Sequence, residues 1–156
     1  MTLAEDTYFA SEKGQSMVEL AIALPVLILL LLAAADFGRL LYFWMAVNSA
    51  ARAGAQYGSQ TVITAASSSK IILAATTDGS SISGLTATTC QCTCASGTIQ
   101  VCPGTCSGSS YYCPSGSEAT YLEVDTQATF HTIISYPGIP SSITVKGRAI
   151  MQVKGS

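Results

Sequence analysis

The sequence predicts an α+β protein. It has a long N-terminal helix of transmembrane or pilin type, a short second helix, and a small antiparallel β-sheet carrying a Cys-rich insert. Three observations carry that prediction. Leu20 to Ala35 contains no charged residue. Tyr121 to Ile134 and Ile143 to Val153 alternate apolar and polar side chains, the period of a half-buried strand. All six cysteines fall between Cys90 and Cys113.

Composition sets the outer bounds. The chain has 156 residues, enough for one domain plus an anchor. Its net charge is −2 and only 10% of residues are charged. Nucleic-acid binding and strong electrostatic steering both need a larger field, so neither is expected. Apolar residues concentrate before Val47, and Ser, Thr, Gly and Ala dominate after Gly58. That shift divides a membrane or filament part from an exposed part.

Met1 to Lys13 is short, polar and without periodicity, so it reads as a leader or an unfolded terminus. Leu20 to Ala35 gives 16 apolar residues, about 24 Å of helix at 1.5 Å per residue. A bilayer core is about 30 Å thick, and Phe37 to Trp44 extend the apolar length. Pro25 removes a helix hydrogen bond and predicts a kink or loosening. Asp36 and Arg39 stand three apart and can pair on a helix. Tyr42 and Trp44 suit an outer headgroup belt. Beyond them Ala46, Ala50, Gly54 and Gly58 recur every four residues. This makes a flat face for close packing, either on the chain's own sheet or on another helix.

The exposed part follows from residue 59. Val62 to Thr77 reads as a weaker second helix, closed by the Asp78-Gly79 turn signal. Thr88 to Cys94 alternates, with Cys90, Cys92 and Cys94 on one strand face. Thr98 to Cys102 reads as a further short strand. In the last third, Leu122, Val124, Ala128 and Phe130 share one face. Glu123, Asp125, Gln127 and His131 share the other, expected to be solvated. Tyr136-Pro137-Gly138-Ile139-Pro140 links the two final strands. Their apolar faces need a cover, and the distal half of the long helix can supply it.

The residues that carry chemistry lie at the helix start. A secretory signal cut after Ala33-Ala34-Ala35 is one option, but only Lys13 supplies positive charge ahead of the apolar run. The other option is a cut after Gly14. Gln15 then becomes the first residue and Glu19 the fifth, just ahead of Leu20. A carboxylate in apolar surroundings costs several kcal/mol, roughly, unless paired. The new amine at Gln15 offers a partner for a carboxylate on a neighbouring helix.

Lys13-Gly14, Glu19 and the run from Leu20 resemble the type IV prepilin family. Leu24-Pro25, Phe37-Gly38-Arg39 and Ala50-Ala51-Arg52-Ala53-Gly54-Ala55 narrow the resemblance to the TadE-like family of tight-adherence (Flp) pilus proteins. Tyr121 to Val153 is also similar to that family's tail. The resemblance implies a minor pilin or pseudopilin in pilus assembly, processed after Gly14 by a prepilin peptidase, with Glu19 needed for recognition or assembly. It implies a bacterial inner-membrane, single-pass protein with its C-terminal domain outside. Its expected partners are the membrane, the peptidase, other pilins and the assembly platform. The organisation that follows is a leader over 1–14, an assembly helix over 15–58, and an exposed domain over 59–156 with the insert at 90–113. The alternative is a bitopic cell-surface binding protein that never enters a filament.

The cysteine insert departs from that family pattern. Cys90, Cys92, Cys94, Cys102, Cys106 and Cys113 contain no C-x-x-C pair of the kind zinc sites use, so disulfides are the expected reading. Fifteen connectivities are possible; alternate cysteines on one strand do not readily pair with each other, so at least two of Cys90, Cys92 and Cys94 are expected to bond across to Cys102, Cys106 or Cys113. No cofactor, metal or small-molecule substrate is expected. With one histidine, no phosphate loop and no nucleophile–base pair, an enzyme is not expected either.

Overall fold

The computed structural model describes residues 8–94, 100–101, 110–111, 119–133, 138 and 140–155. Its helices are α1 (Tyr8–Gly58), α2 (Val62–Ala65) and α3 (Ser68–Asp78). Its strands are β1 (Thr86–Cys94), β2 (Gln100–Val101), β3 (Ser110–Tyr111), β4 (Ala119–His131) and β5 (Ser142–Gln152). A three-stranded antiparallel sheet has the order β1-β4-β5, and β2 pairs with β3 in a two-stranded one. The α+β class is as predicted. The chain divides into two compact units, Met1–Arg39 and Leu40–Ser156.

Helix α1 begins earlier than the sequence suggested. Residues from Tyr8 are helical, so the segment read as unfolded is partly ordered ahead of Gly14. Helix assignment continues without interruption through Pro25. The single second helix expected over 62–77 is two helices. Thr61 caps α2 through a reciprocal box: its hydroxyl accepts from Thr64 N–H at 3.1 Å, and its N–H donates to Thr64 Oγ1 at 3.0 Å. Ser67 then donates its hydroxyl to the Ile63 carbonyl at 3.1 Å and stands between the two helices. Short polar side chains offer the backbone this alternative to continued helix.

In the unit Leu40–Ser156, the distal part of α1 lies on one face of the sheet. Leu122 and Val124 of β4 join Ala51, Ala55, Ile71, Ala75 and Ala149 in one core cluster. Val47, Ile82, Ala128, Phe130 and Val145 form a second. The small residues permit the approach. A Cβ at Gly58 would meet Leu122 Cδ2 and stand 2.9 Å from Ile71 Cδ1. At Gly54 it would lie 3.1 Å from Ala75 Cβ and 3.2 Å from Val124 Cγ1. The flat face thus receives both the sheet and α3. Thr126 donates its hydroxyl to the Val47 carbonyl at 2.8 Å, joining sheet to helix inside the core. Phe43 packs edge-on against Phe130, with centroids 5.5 Å apart.

The opposite face corrects one expectation. Gln127 and His131 are exposed, as a solvated face requires. Glu123 is 1% exposed, however, and Ala119 and Cys92 at the same end of that face are also buried. Arg148 Nε stands 2.9 Å from Glu123 Oε1 and 2.9 Å from Asp125 Oδ1. A buried carboxylate is tolerated with a cation beside it. Strand period identified the face, but it could not report that half of the face is covered. Most of the expected Tyr136–Pro140 link lies outside the described residues.

Candidate functional site

The proximal part of α1 is apolar on every side. Leu27, Ile28, Leu29, Leu30 and Leu31 are consecutive and all exposed. At about 100° per residue, five successive positions cover the whole circumference. No stripe is left to face water, which marks a helix whose surroundings are lipid or other helices. Burying one such side chain contributes about 1.5–3 kcal/mol, so these five alone amount to roughly 7–15 kcal/mol. That equals the net stability of a typical domain, about 5–15 kcal/mol. Gly14–Gly58 contains one helix long and apolar enough to cross a bilayer by length and composition.

Gly14, Gln15 and Glu19 all lie in α1 and are exposed. Nothing stands within 4 Å of a Cβ built at Gly14. Gln15 and Glu19 are four apart on the helix and therefore share one face. At the other end of the apolar run Asp36 is buried, and its Oδ1 accepts from Arg39 Nη1 at 3.2 Å, the pair expected from spacing. Beyond it Tyr42 and Trp44 are exposed.

Cys90 and Cys92 lie on β1 opposite Glu123 and Tyr121, so both share the face that carries Arg148. Neither is a free thiol. Cys94 closes β1, and Cys102, Cys106 and Cys113 lie outside the described residues. Among the described residues no group of three His, Cys, Asp or Glu side chains could hold a metal ion. The Asp125 hydrogen bond, reinforced by the charges of Asp125 and Glu123 and opposed by burial, raises the Arg148 pKa above its usual value. This guanidinium stays charged at any physiological pH.

Two features escaped the sequence reading. The Glu123–Arg148–Asp125 cluster joins β4 to β5 on a face expected to be plain surface. Thr126 interrupts the apolar inward face of β4, and its role appears only once Val47 is placed above it. Thr126 among Val124, Ala128 and Phe130 was the available signal.

Residues 14–56 match the family of TadE-like proteins. The matched segment starts at Gly14, contains Glu19, and ends in the part of α1 that packs on the sheet. No curated protein and no solved structure matches the chain.

Proposed function

We propose, from the TadE-like domain that residues 14–56 form, that this chain is a minor pilin or pseudopilin of a tight-adherence (Flp) pilus. A run of α1 that is apolar and exposed on all sides, with Gly14 and Glu19 just ahead of it, is the observation that carries the reading. The precursor sits in the bacterial inner membrane as a single-pass protein, with the Leu40–Ser156 unit outside. A prepilin peptidase cuts after Gly14 and exposes the amine of Gln15. The helix then leaves lipid for contacts with other pilins at the assembly platform. Glu19 guides that step, because its carboxylate gains a cationic partner in the neighbouring amine. The role is structural: the helix supplies assembly and the outer domain supplies surface.

The cysteines Cys90, Cys92, Cys94, Cys102, Cys106 and Cys113 form disulfides that tie down the 90–113 insert. The bonded state of Cys90 and Cys92 supports this. An oxidising compartment outside the inner membrane supplies the conditions.

N-terminal sequencing of the protein from cells that contain the peptidase tests the processing step. The expected first residue is Gln15. A product that retains Met1 to Gly14 overturns it and favours a bitopic surface protein. A soluble product that starts at Asp36 identifies a secreted protein instead.

A further inference from the structure

A cut after Gly14 leaves glutamine as the first residue, and a terminal glutamine has chemistry of its own. Helix α1 runs from Tyr8, so the Gly14–Gln15 bond lies inside it. The cut turns the Gln15 N–H into an amine at a helix end, where the first four donors have no intrahelical acceptor. Residues 14–31 are all exposed. Among the described residues no hydrogen bond holds the Gln15 side-chain amide, so it can turn back on the new amine. The amine nitrogen, Cα, Cβ, Cγ and Cδ then close a five-membered ring, a geometry in which the reacting groups are already held together. The amine nitrogen bonds to Cδ and the Cδ–Nε2 bond breaks. The side-chain nitrogen leaves as ammonia, carrying the proton that the amine gives up. The step is intramolecular and needs no co-reactant.

Only the neutral amine attacks. A free α-amine titrates near about 7.7–8.0, so roughly a tenth of it is neutral at pH 7. The helix N-terminus carries about +0.5 elementary charge and favours the neutral form. A carboxylate within ~4–6 Å favours the protonated form by about one pH unit or more, which leaves about tenfold less neutral amine. Glu12 and Lys13 leave with the leader, so Glu19 is the only charged side chain from Gln15 to Ala35. On its own helix Glu19 stands about one turn up the axis, roughly 5.4 Å. A neighbouring helix displaced by that turn brings its Glu19 level with the amine.

We propose that Gln15 is a self-modifying site: in a processed chain without a packed neighbour it closes to the cyclic lactam, and in a packed chain the neighbour's Glu19 holds it open. The inference rests on the cut after Gly14 and on the pairing of Glu19 with the new amine. The lactam nitrogen carries no charge, so a cyclised chain offers no cation to the Glu19 of the next subunit. Processed subunits therefore have a limited time in which to assemble, and those that miss it lose the group that directs packing.

Intact-mass spectrometry with N-terminal fragmentation reads both forms, including the lactam, which has no free amine for chemical sequencing. The full chain is pulse-labelled in cells that contain the peptidase and the pilus apparatus. Membrane and sheared-pilus fractions are denatured at intervals of a chase. Conversion is counted above that of a synthetic peptide of residues 15–20 carried through the same work-up. The expected product is a mature chain lighter by one ammonia at residue 15, formed about tenfold faster in the membrane fraction than in pili. Gln15→Asn should show no such product, because its shorter side chain would have to close a strained four-membered ring. A mature chain whose Gln15 stays open in the membrane throughout the chase overturns the proposal and leaves the processing intact. Equal conversion in membrane and pili also overturns it, since Glu19 then gives no protection. Chains that retain Met1 to Gly14 refute the processing itself, and the modification with it.

Discussion

Gly147→Ala tests the seating of α1 on the sheet by the sign of its effect. Gly147 lies in β5 opposite Thr126 and beneath the turn of helix at Val47. A Cβ there would stand 2.8 Å from the Val47 carbonyl oxygen, 2.8 Å from Thr126 Oγ1 and 3.0 Å from Asn48 Cα. Two of those atoms are helix backbone, so they yield only if the helix lifts. The third belongs to the hydroxyl that bonds Val47. Overpacking of this kind costs about 1–3 kcal/mol, and loss of the buried bond adds roughly 1 kcal/mol. Replacing a strand glycine by alanine returns ~0.5–1 kcal/mol of chain entropy. The net prediction is a destabilisation of about 1–3.5 kcal/mol. For a unit of this size that lowers the midpoint by roughly 10 °C. The assay is thermal unfolding of the detergent-solubilised full chain, followed by circular dichroism and by Trp44 fluorescence. If the helix did not lie on Gly147, only the entropy gain would remain. A variant that melts at or above the wild-type temperature therefore refutes the packing argument.

Three further outcomes are expected. Arg148→Met should destabilise the protein by about 2–4 kcal/mol in urea unfolding, because it removes the guanidinium from the buried Glu123 carboxylate. An unchanged midpoint would show that this cation does not hold the carboxylate. Thr126→Val should cost about 1–2 kcal/mol by the same measurement while Thr126→Ser costs less, since only serine keeps a donor for the Val47 carbonyl; equal losses would remove the hydrogen bond as the cause. On the proposed reading, Glu19→Ala should insert in the membrane normally yet be lost from sheared pili, as read by fractionation and immunoblot. Normal incorporation would count against the pairing role of that carboxylate.

The elements that follow a single rule were legible in the sequence. Strand alternation in 121–134 and 143–153 separated Leu122, Val124 and Phe130 from Gln127 and His131, because side chains on a strand alternate strictly. The four-residue recurrence of Ala46, Ala50, Gly54 and Gly58 marked the close-packed helix face for the same kind of reason. What failed required knowledge of a neighbour. Glu123 looked like its exposed strand-mates, since nothing local distinguishes a covered end of a face from an open one. The break at Ala66-Ser67 was hidden because helix propensity varies smoothly there, whereas one hydroxyl bonding to the Ile63 carbonyl acts locally. The early helix start at Tyr8 had a signal in Thr7, a residue type favoured at helix N-caps, but the polar, aperiodic composition of residues 1–13 outweighed it in the sequence reading. Of the candidate site, Gly14 and Glu19 were singled out by their spacing ahead of the apolar run together with the resemblance to prepilins, and neither could have supplied the exposure of the helix around them.

The two parts of α1 face different problems although they form one continuous helix. From Val47 onward, burial is intramolecular, and Gly54 and Gly58 fix a single seat on the sheet and on α3. Before Asp36, burial has to come from outside the chain. Lipid and a bundle of like helices cover leucine almost equally well, so the apolar term largely cancels between them. A helix that moves from one to the other therefore gains little from Leu27 to Leu31. The direction must come from groups that differ between the two surroundings. A carboxylate is such a group, because it lacks a cation in lipid and can meet one at the start of an adjacent processed helix. Glu19 is the one acidic residue between Gly14 and Asp36. On the proposed reading the apolar run supplies affinity for either environment, and Glu19 supplies the preference.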